Sequence, residues 1–167
     1  SGAVPEEVVA AAWRGDEAAV LAWLEDGGGR VNARFECVFS NCPEGGMTLL
    51  ILAMTRGREG LVEALLQRGA DVSLQTSHGT TALMVAAAYG HEKLVELALR
   101  HGVEINQRCG SSSGTMLMYA AYFNRPAVVL RLLRAGADTK LRAVNGHSAL
   151  QFAKEQGHAA CVEAFRQ

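Results

Sequence analysis

The residues of this 167-residue chain best suited to chemistry are four cysteines and five histidines. Cys37 and Cys42 lie five apart with no histidine close by, and Cys109 and Cys161 stand alone. Zinc ligands come as closely spaced pairs matched by a second pair, so this spacing predicts free thiols rather than a metal site. A thiol nucleophile needs an imidazole beside it, and none of His78, His91, His101, His147 and His158 adjoins a cysteine in sequence. Gly110-Ser111-Ser112-Ser113-Gly114 is only superficially like a nucleophile elbow, because no strand precedes it. No Walker loop and no His-Glu-x-x-His is present. The expectation is a chain without catalysis, metal or cofactor.

Charge and composition narrow the partners. Sixteen Lys and Arg balance seventeen Asp and Glu, which excludes a grossly basic nucleic-acid binder. With 49% apolar and 20% charged residues the composition is that of a globular protein with a real core. No apolar run approaches the ~18 residues that span a membrane, so no membrane insertion is expected. Ser1-Gly2-Ala3-Val4-Pro5 lacks the basic and apolar regions of a signal peptide. That start, with no initiator Met, suggests a piece of a longer protein. Reduced cysteines in the cytoplasm or nucleus are the matching expectation. The charge is uneven: residues 1–83 carry six basic and eleven acidic residues, residues 84–167 ten basic and six acidic. Such a dipole could orient a charged partner.

An internal repeat supplies the elements that must position these residues. Thr48, Thr81, Thr115 and Ser148 are spaced 33, 34 and 33 apart. Leu50, Leu83, Leu117 and Leu150 step with them, as do Ala53, Ala86, Ala120 and Ala153, and Val62, Val95, Val129 and Val162. Gly69, Gly102 and Gly136 form a fifth column. Each period reads as two short helices and a turn. Thr81 opens a helix that Gly90 stops, His91-Glu92-Lys93 starts the next, and Gly102 ends it. One such pair cannot bury its apolar face alone, so stacked neighbours must.

The segments Gly79-Thr80-Thr81-Ala82-Leu83, Ala86-Ala87, Gly90-His91 and Gly69-Ala70-Asp71-Val72, with Gly136-Ala137-Asp138, resemble the ankyrin repeat over roughly residues 6–167. The resemblance implies an all-α ankyrin-repeat solenoid of stacked helix-turn-helix units with β-hairpin fingers. It is read as a single domain, 1–167, with units near 6–34, 46–75, 76–108, 112–142 and 143–167 and an inserted finger loop at 35–45. The family's Pro is replaced by Leu49, Ala82, Met116 and Ala149, and its His by Ile51, Met84, Met118 and Gln151. The hydrogen bond of that His is therefore expected to be missing throughout. Finger 109–114 is expected to be mobile from its Gly and Ser content.

The resemblance also implies where a ligand would sit. Ankyrin arrays bind through finger tips and the exposed ends of first helices, two residues before the helix breaker. Those positions hold Trp13-Arg14, Thr55-Arg56, Ala88-Tyr89, Tyr122-Phe123 and Glu155-Gln156. Trp13, Tyr89, Tyr122 and Phe123 are aromatic, and Trp, Tyr and Arg are the residue types enriched at binding hot spots. This arrangement implies a non-catalytic, monomeric module that holds an extended peptide of another protein in its concave groove. Apolar side chains would enter slots between Tyr89, Tyr122 and Phe123, and Arg14 and Arg56 would hold a carboxylate or peptide carbonyls. His78 and His147 sit on finger tips. Phe35 and Phe39 make the inserted finger apolar enough to contribute.

Three other readings stay open. A scaffold or adaptor could bind a folded partner mainly through the 35–45 finger. A methylated-lysine reader could build an aromatic cage from Trp13 or Tyr122 with Glu155. A lipid or acidic-surface reader could use Arg125, Arg131, Arg134, Lys140 and Arg142. The bland alternative is that the rings pack on neighbouring helices and on the Phe35–Phe39 loop.

Overall fold

The computed structural model describes residues 3–26, 30–37, 39 and 45–167. Among these, helices come in successive pairs joined by tight turns. The pairs are α1 (Glu6–Arg14) with α2 (Glu17–Glu25), α3 (Leu49–Thr55) with α4 (Glu59–Gln67), and α5 (Ala82–Ala88) with α6 (Glu92–Arg100). They continue with α7 (Met116–Tyr122) and α8 (Pro126–Arg134), then α9 (Ala149–Glu155) and α10 (Ala159–Ala164).

Local chemistry sets the boundaries. Thr48, Thr115 and Ser148 accept a hydrogen bond from the backbone N–H three residues on, satisfying one of the orphan donors at a helix start. Asp16 does the same for α2. Pro126 occupies the first turn of α8, where its missing N–H is not needed. Between the helices of a pair, the chain must take a left-handed residue. Gly15, Gly57, Gly90 and Gly157 supply it, and Asn124 does so in the fourth pair with φ +58°. In α9 the expected loss of the family's histidine hydrogen bond does not occur. Gln151 Oε1 accepts the Ser148 N–H at 2.8 Å and completes a capping box, because an amide oxygen serves where an imidazole nitrogen would.

The chain forms two compact bodies, Ser1–Ala82 and Leu83–Gln167. In the first, α1 packs on α2 and α3, and α4 on α2 and α3. Leu49 to Met54 are all buried there. In the second, α7 packs on α8 and α9, α10 on α8 and α9, and α6 on α8. Leu83, Leu94, Leu117 and Leu132 fill its core. The alanine column Ala53, Ala86, Ala120 and Ala153 is fully buried, as small residues at helix contacts should be.

The fingers are short hairpins. β1 (Arg34–Phe35) pairs antiparallel with β2 (Met47–Thr48), matching Phe35 with Met47. The third finger closes through a single antiparallel bridge between Cys109 and Gly114. The looseness expected of 109–114 is offset by hydrogen bonds. Cys109 N–H donates to Gly114 O at 2.8 Å, Arg108 Nη1 to Ser113 O at 2.7 Å, and Val144 N–H to Ser112 O at 3.0 Å.

In three of the pairs the residue after the breaker reaches back to the pair before it. Arg58 Nη2 donates to Trp13 O at 3.0 Å and Arg125 Nε to Ala88 O at 2.8 Å. His158 Nε2 lies 2.9 Å from Tyr122 O. Each contact satisfies a carbonyl at the end of the preceding first helix, which has no partner within that helix.

Candidate functional site

In the N-terminal body the expected binding residues are engaged with one another. Trp13, near the end of α1, stacks on Phe39 with ring centroids 4.7 Å apart and planes 25° apart. The Arg56 guanidinium carbon lies 4.4 Å from the Trp13 ring centroid, and Arg56 Nε donates to Trp13 O at 3.3 Å. Arg14 pairs with Asp16 at 3.4 Å. The two arginines expected to hold a ligand carboxylate thus have partners already. Phe35 is only 6% exposed and belongs to the core, since its inward position on β1 faces away from solvent. That removes it from any binding surface. His78 is exposed, with its backbone N–H on Thr76 Oγ1 at 3.3 Å. Within the 35–45 finger, Val38 and residues 40–44 lie outside the described residues, and Cys42 with them. Cys37 is disulfide-bonded, which corrects the expectation of a free thiol and removes that support for a reducing compartment. Cys109 and Cys161 are buried and in no disulfide, and burial pushes the Cys161 thiol up from its ordinary value.

The C-terminal body holds an open aromatic site. Tyr122 ends α7 and Phe123 is its C-cap, and they are 41% and 47% exposed. Their rings meet edge to face at 5.0 Å, and Tyr122 meets Phe152 of α9 the same way at 5.9 Å. These three rings, with Met118, Tyr119 and Val144, line a cavity of about 460 Å³. Ser111, Ser112 and Gly114 of the third finger form one wall, and Ala143 and Asn145 of the next turn another. Val144 projects from that turn, 73% exposed.

Tyr119 ties the floor to the wall. Its hydroxyl lies 2.6 Å from Ser112 Oγ and 3.4 Å from Cys109 O. Burial raises the phenol from its ordinary value, and the Ser112 contact pulls it partly back. Gly114 permits this, because a Cβ there would stand 2.9 Å from Tyr119 Cε2. At the other side His147 sets its edge against Phe152 at 5.4 Å. Its Nε2 is 3.2 Å from Glu155 Oε1, and its Nδ1 3.2 Å from Asn145 Nδ2.

The structure therefore brings together Tyr122, Phe123 and, one ring away, His147. Tyr89 is 55% exposed but lies against His91 at 6.0 Å and does not line this cavity, so the slot expected between Tyr89, Tyr122 and Phe123 is built on Phe152 instead. Of the residues named for a lysine cage, Tyr122 stands at this cavity and the Glu155 carboxylate lies 3.2 Å from His147 Nε2. Met118, Tyr119, Val144 and Phe152 were not legible as site residues from their register. Two signals pointed to them: Met118 stands where the family has a polar histidine, and Val144 is apolar in a turn between Arg142 and Asn145. Two of the five residues of the basic cluster are engaged with neighbouring helices. Arg131 pairs with Glu92 at 2.7 Å and Glu96 at 3.2 Å, and Arg125 holds the Ala88 carbonyl.

Among the described residues no group of three His, Cys, Asp or Glu could hold a metal ion, and no helix is long and apolar enough to cross a membrane. Helix pairs, left-handed breakers and hairpin fingers are the marks of one class of repeat protein. Residues 8–109 match the family model described as ankyrin repeats (3 copies), and residues 99–153 match ankyrin repeats (many copies). The chain belongs to the ankyrin-repeat family, with that family's all-α repeat fold, and ankyrin repeats are in general protein–protein interaction modules. Among curated proteins no match is found.

Proposed function

We propose that this chain is a non-catalytic recognition module that anchors an extended peptide segment of a partner protein in the aromatic cavity of its C-terminal body. The observation that carries this is the exposure of Tyr122, Phe123 and Val144 around an open apolar cavity. Water gains little at such a surface, and an apolar side chain gains much. A volume of about 460 Å³ is within the range of small-ligand sites and exceeds one large side chain. Burying one aromatic ring, on the order of 150–250 Å², is worth at most about 4–6 kcal/mol. Association and ordering costs consume part of that gain, which leaves room for one anchor residue plus flanking backbone contacts.

The test is affinity capture from cell lysate with the wild type, Phe123→Ala and Trp13→Ala. Partners absent from the Phe123→Ala eluate but retained by Trp13→Ala support the cavity. Identical partner lists for wild type and Phe123→Ala overturn it and move the surface to another face.

A further inference from the structure

The charge beside the cavity says what flanks the anchor. Two cations, Arg108 and Arg142, stand by the turns that line it. Arg108 Nη1 donates to Ser113 O at 2.7 Å and to Arg142 O at 2.6 Å. Arg142 Nη1 donates to Gly146 O at 2.8 Å and Gln151 Oε1 at 3.2 Å. Both guanidinium groups are thereby held beside the turns that line the cavity, each on a neutral oxygen. No ion pair involves either of them among the described residues. The nearby carboxylate Glu155 lies against His147, Oε1 to Nε2 at 3.2 Å.

A guanidinium fixed by carbonyls through one nitrogen keeps further N–H donors in its plane, and the acceptor those donors bind most strongly is a carboxylate. The cavity takes an apolar group and its finger-side rim takes a negative one. Resting on the proposed peptide reading, we infer that the occupant is an acidic peptide segment: one aromatic or large aliphatic anchor with Asp or Glu within about three residues of it. An extended chain advances ~3.3 Å per residue, so a carboxylate one to three residues from the anchor reaches about 3–10 Å along the rim. A basic segment is repelled by the same residues.

The test pans a displayed library of random twelve-residue peptides on the full chain, followed by fluorescence anisotropy of the selected peptides. The expected consensus is a large apolar residue with nearby Asp or Glu. Affinity should fall about fivefold in Arg108→Gln/Arg142→Gln, recover in Arg108→Lys/Arg142→Lys, and weaken as salt rises. Circular dichroism checks that the Gln variant remains folded, and the salt series reads the same charge term on the wild type alone. Peptides that need Phe123 yet carry no acidic bias and show no salt dependence overturn the acidic assignment while leaving the cavity reading intact. Peptides that bind Phe123→Ala as well as wild type, or a library without enrichment, overturn both.

Discussion

Two regions of the molecule place aromatic residues at the end of a first helix, and the surroundings differ. In the N-terminal body Trp13 is covered by Phe39 at 4.7 Å and by the Arg56 guanidinium at 4.4 Å. In the C-terminal body Tyr122 and Phe123 meet edge to face, stay 41% and 47% exposed, and border a cavity lined by α7, α9 and two turns. A ring whose neighbours already cover it contributes to stability. A ring beside an open cavity keeps apolar surface in water that a ligand would cover. The same register therefore carries a covered ring in one body and exposed rings in the other, and under the proposed function opposite roles.

The largest effects should separate the two roles. Trp13→Ala removes both the stack and the cation contact and should cost about 2–3 kcal/mol of stability, read as a lower midpoint in urea. It should leave the affinity of a cavity-directed peptide unchanged. A lost affinity in a folded Trp13→Ala protein would break the contrast. Phe123→Ala should do the reverse: about 2 kcal/mol of binding lost, roughly thirtyfold in Kd by calorimetry. Its stability should change by less than about 0.5 kcal/mol, as at other exposed sites.

Smaller changes sharpen the account of the cavity wall. Gly114→Ala pushes a methyl into the Tyr119 ring and should cost about 1–3 kcal/mol by thermal unfolding, with weaker peptide binding because the floor shifts. Tyr119→Phe deletes the hydroxyl that meets Ser112 and should cost about 1 kcal/mol. The amide protons of 109–114 should then exchange faster, while those of the N-terminal body keep their rates.

The smallest effect lies in the N-terminal body. Ser73 donates its hydroxyl and its N–H to Asp71, which lowers the Asp71 carboxyl below its ordinary value. A carboxyl depressed on folding binds its proton more weakly in the folded state. Its contribution to stability is present above the unfolded value, about 3.9, and is lost as pH falls through the folded one. Asp71→Asn should flatten the acid limb of the thermal midpoint against pH. An unchanged acid limb would show that the Ser73 contacts carry no stability.

Much of the fold was readable because it is periodic. A step of 33 or 34 residues in Thr, Leu, Ala, Val and Gly places caps, core and breakers without reference to partners far along the chain. Even Asn124 could be aligned with the breaker glycines, since Asn also tolerates the left-handed region. The finer substitutions were harder to read. The polar column where the family has His appeared empty, yet Gln151 restores its hydrogen bond in α9, a matter of side-chain reach. The Gly and Ser content of 109–114 said nothing of the Val144, Arg108 and Tyr119 contacts that hold it, because those depend on neighbouring turns meeting.

The sequence by itself determined the repeat, the helix boundaries, the buried alanine column and the register that puts Trp13, Tyr89, Tyr122 and Phe123 at helix ends. Local propensity and periodic burial act over a few residues or one repeat, so a linear reading captures them. Only the tertiary structure decided that Phe35 turns into the core, that Phe39 and Arg56 close over Trp13, and that Met118, Val144 and Phe152 join Tyr122 and Phe123 around a cavity. Whether an exposed ring is covered depends on side chains from turns more than twenty residues away, and packing in three dimensions sets which of them arrive.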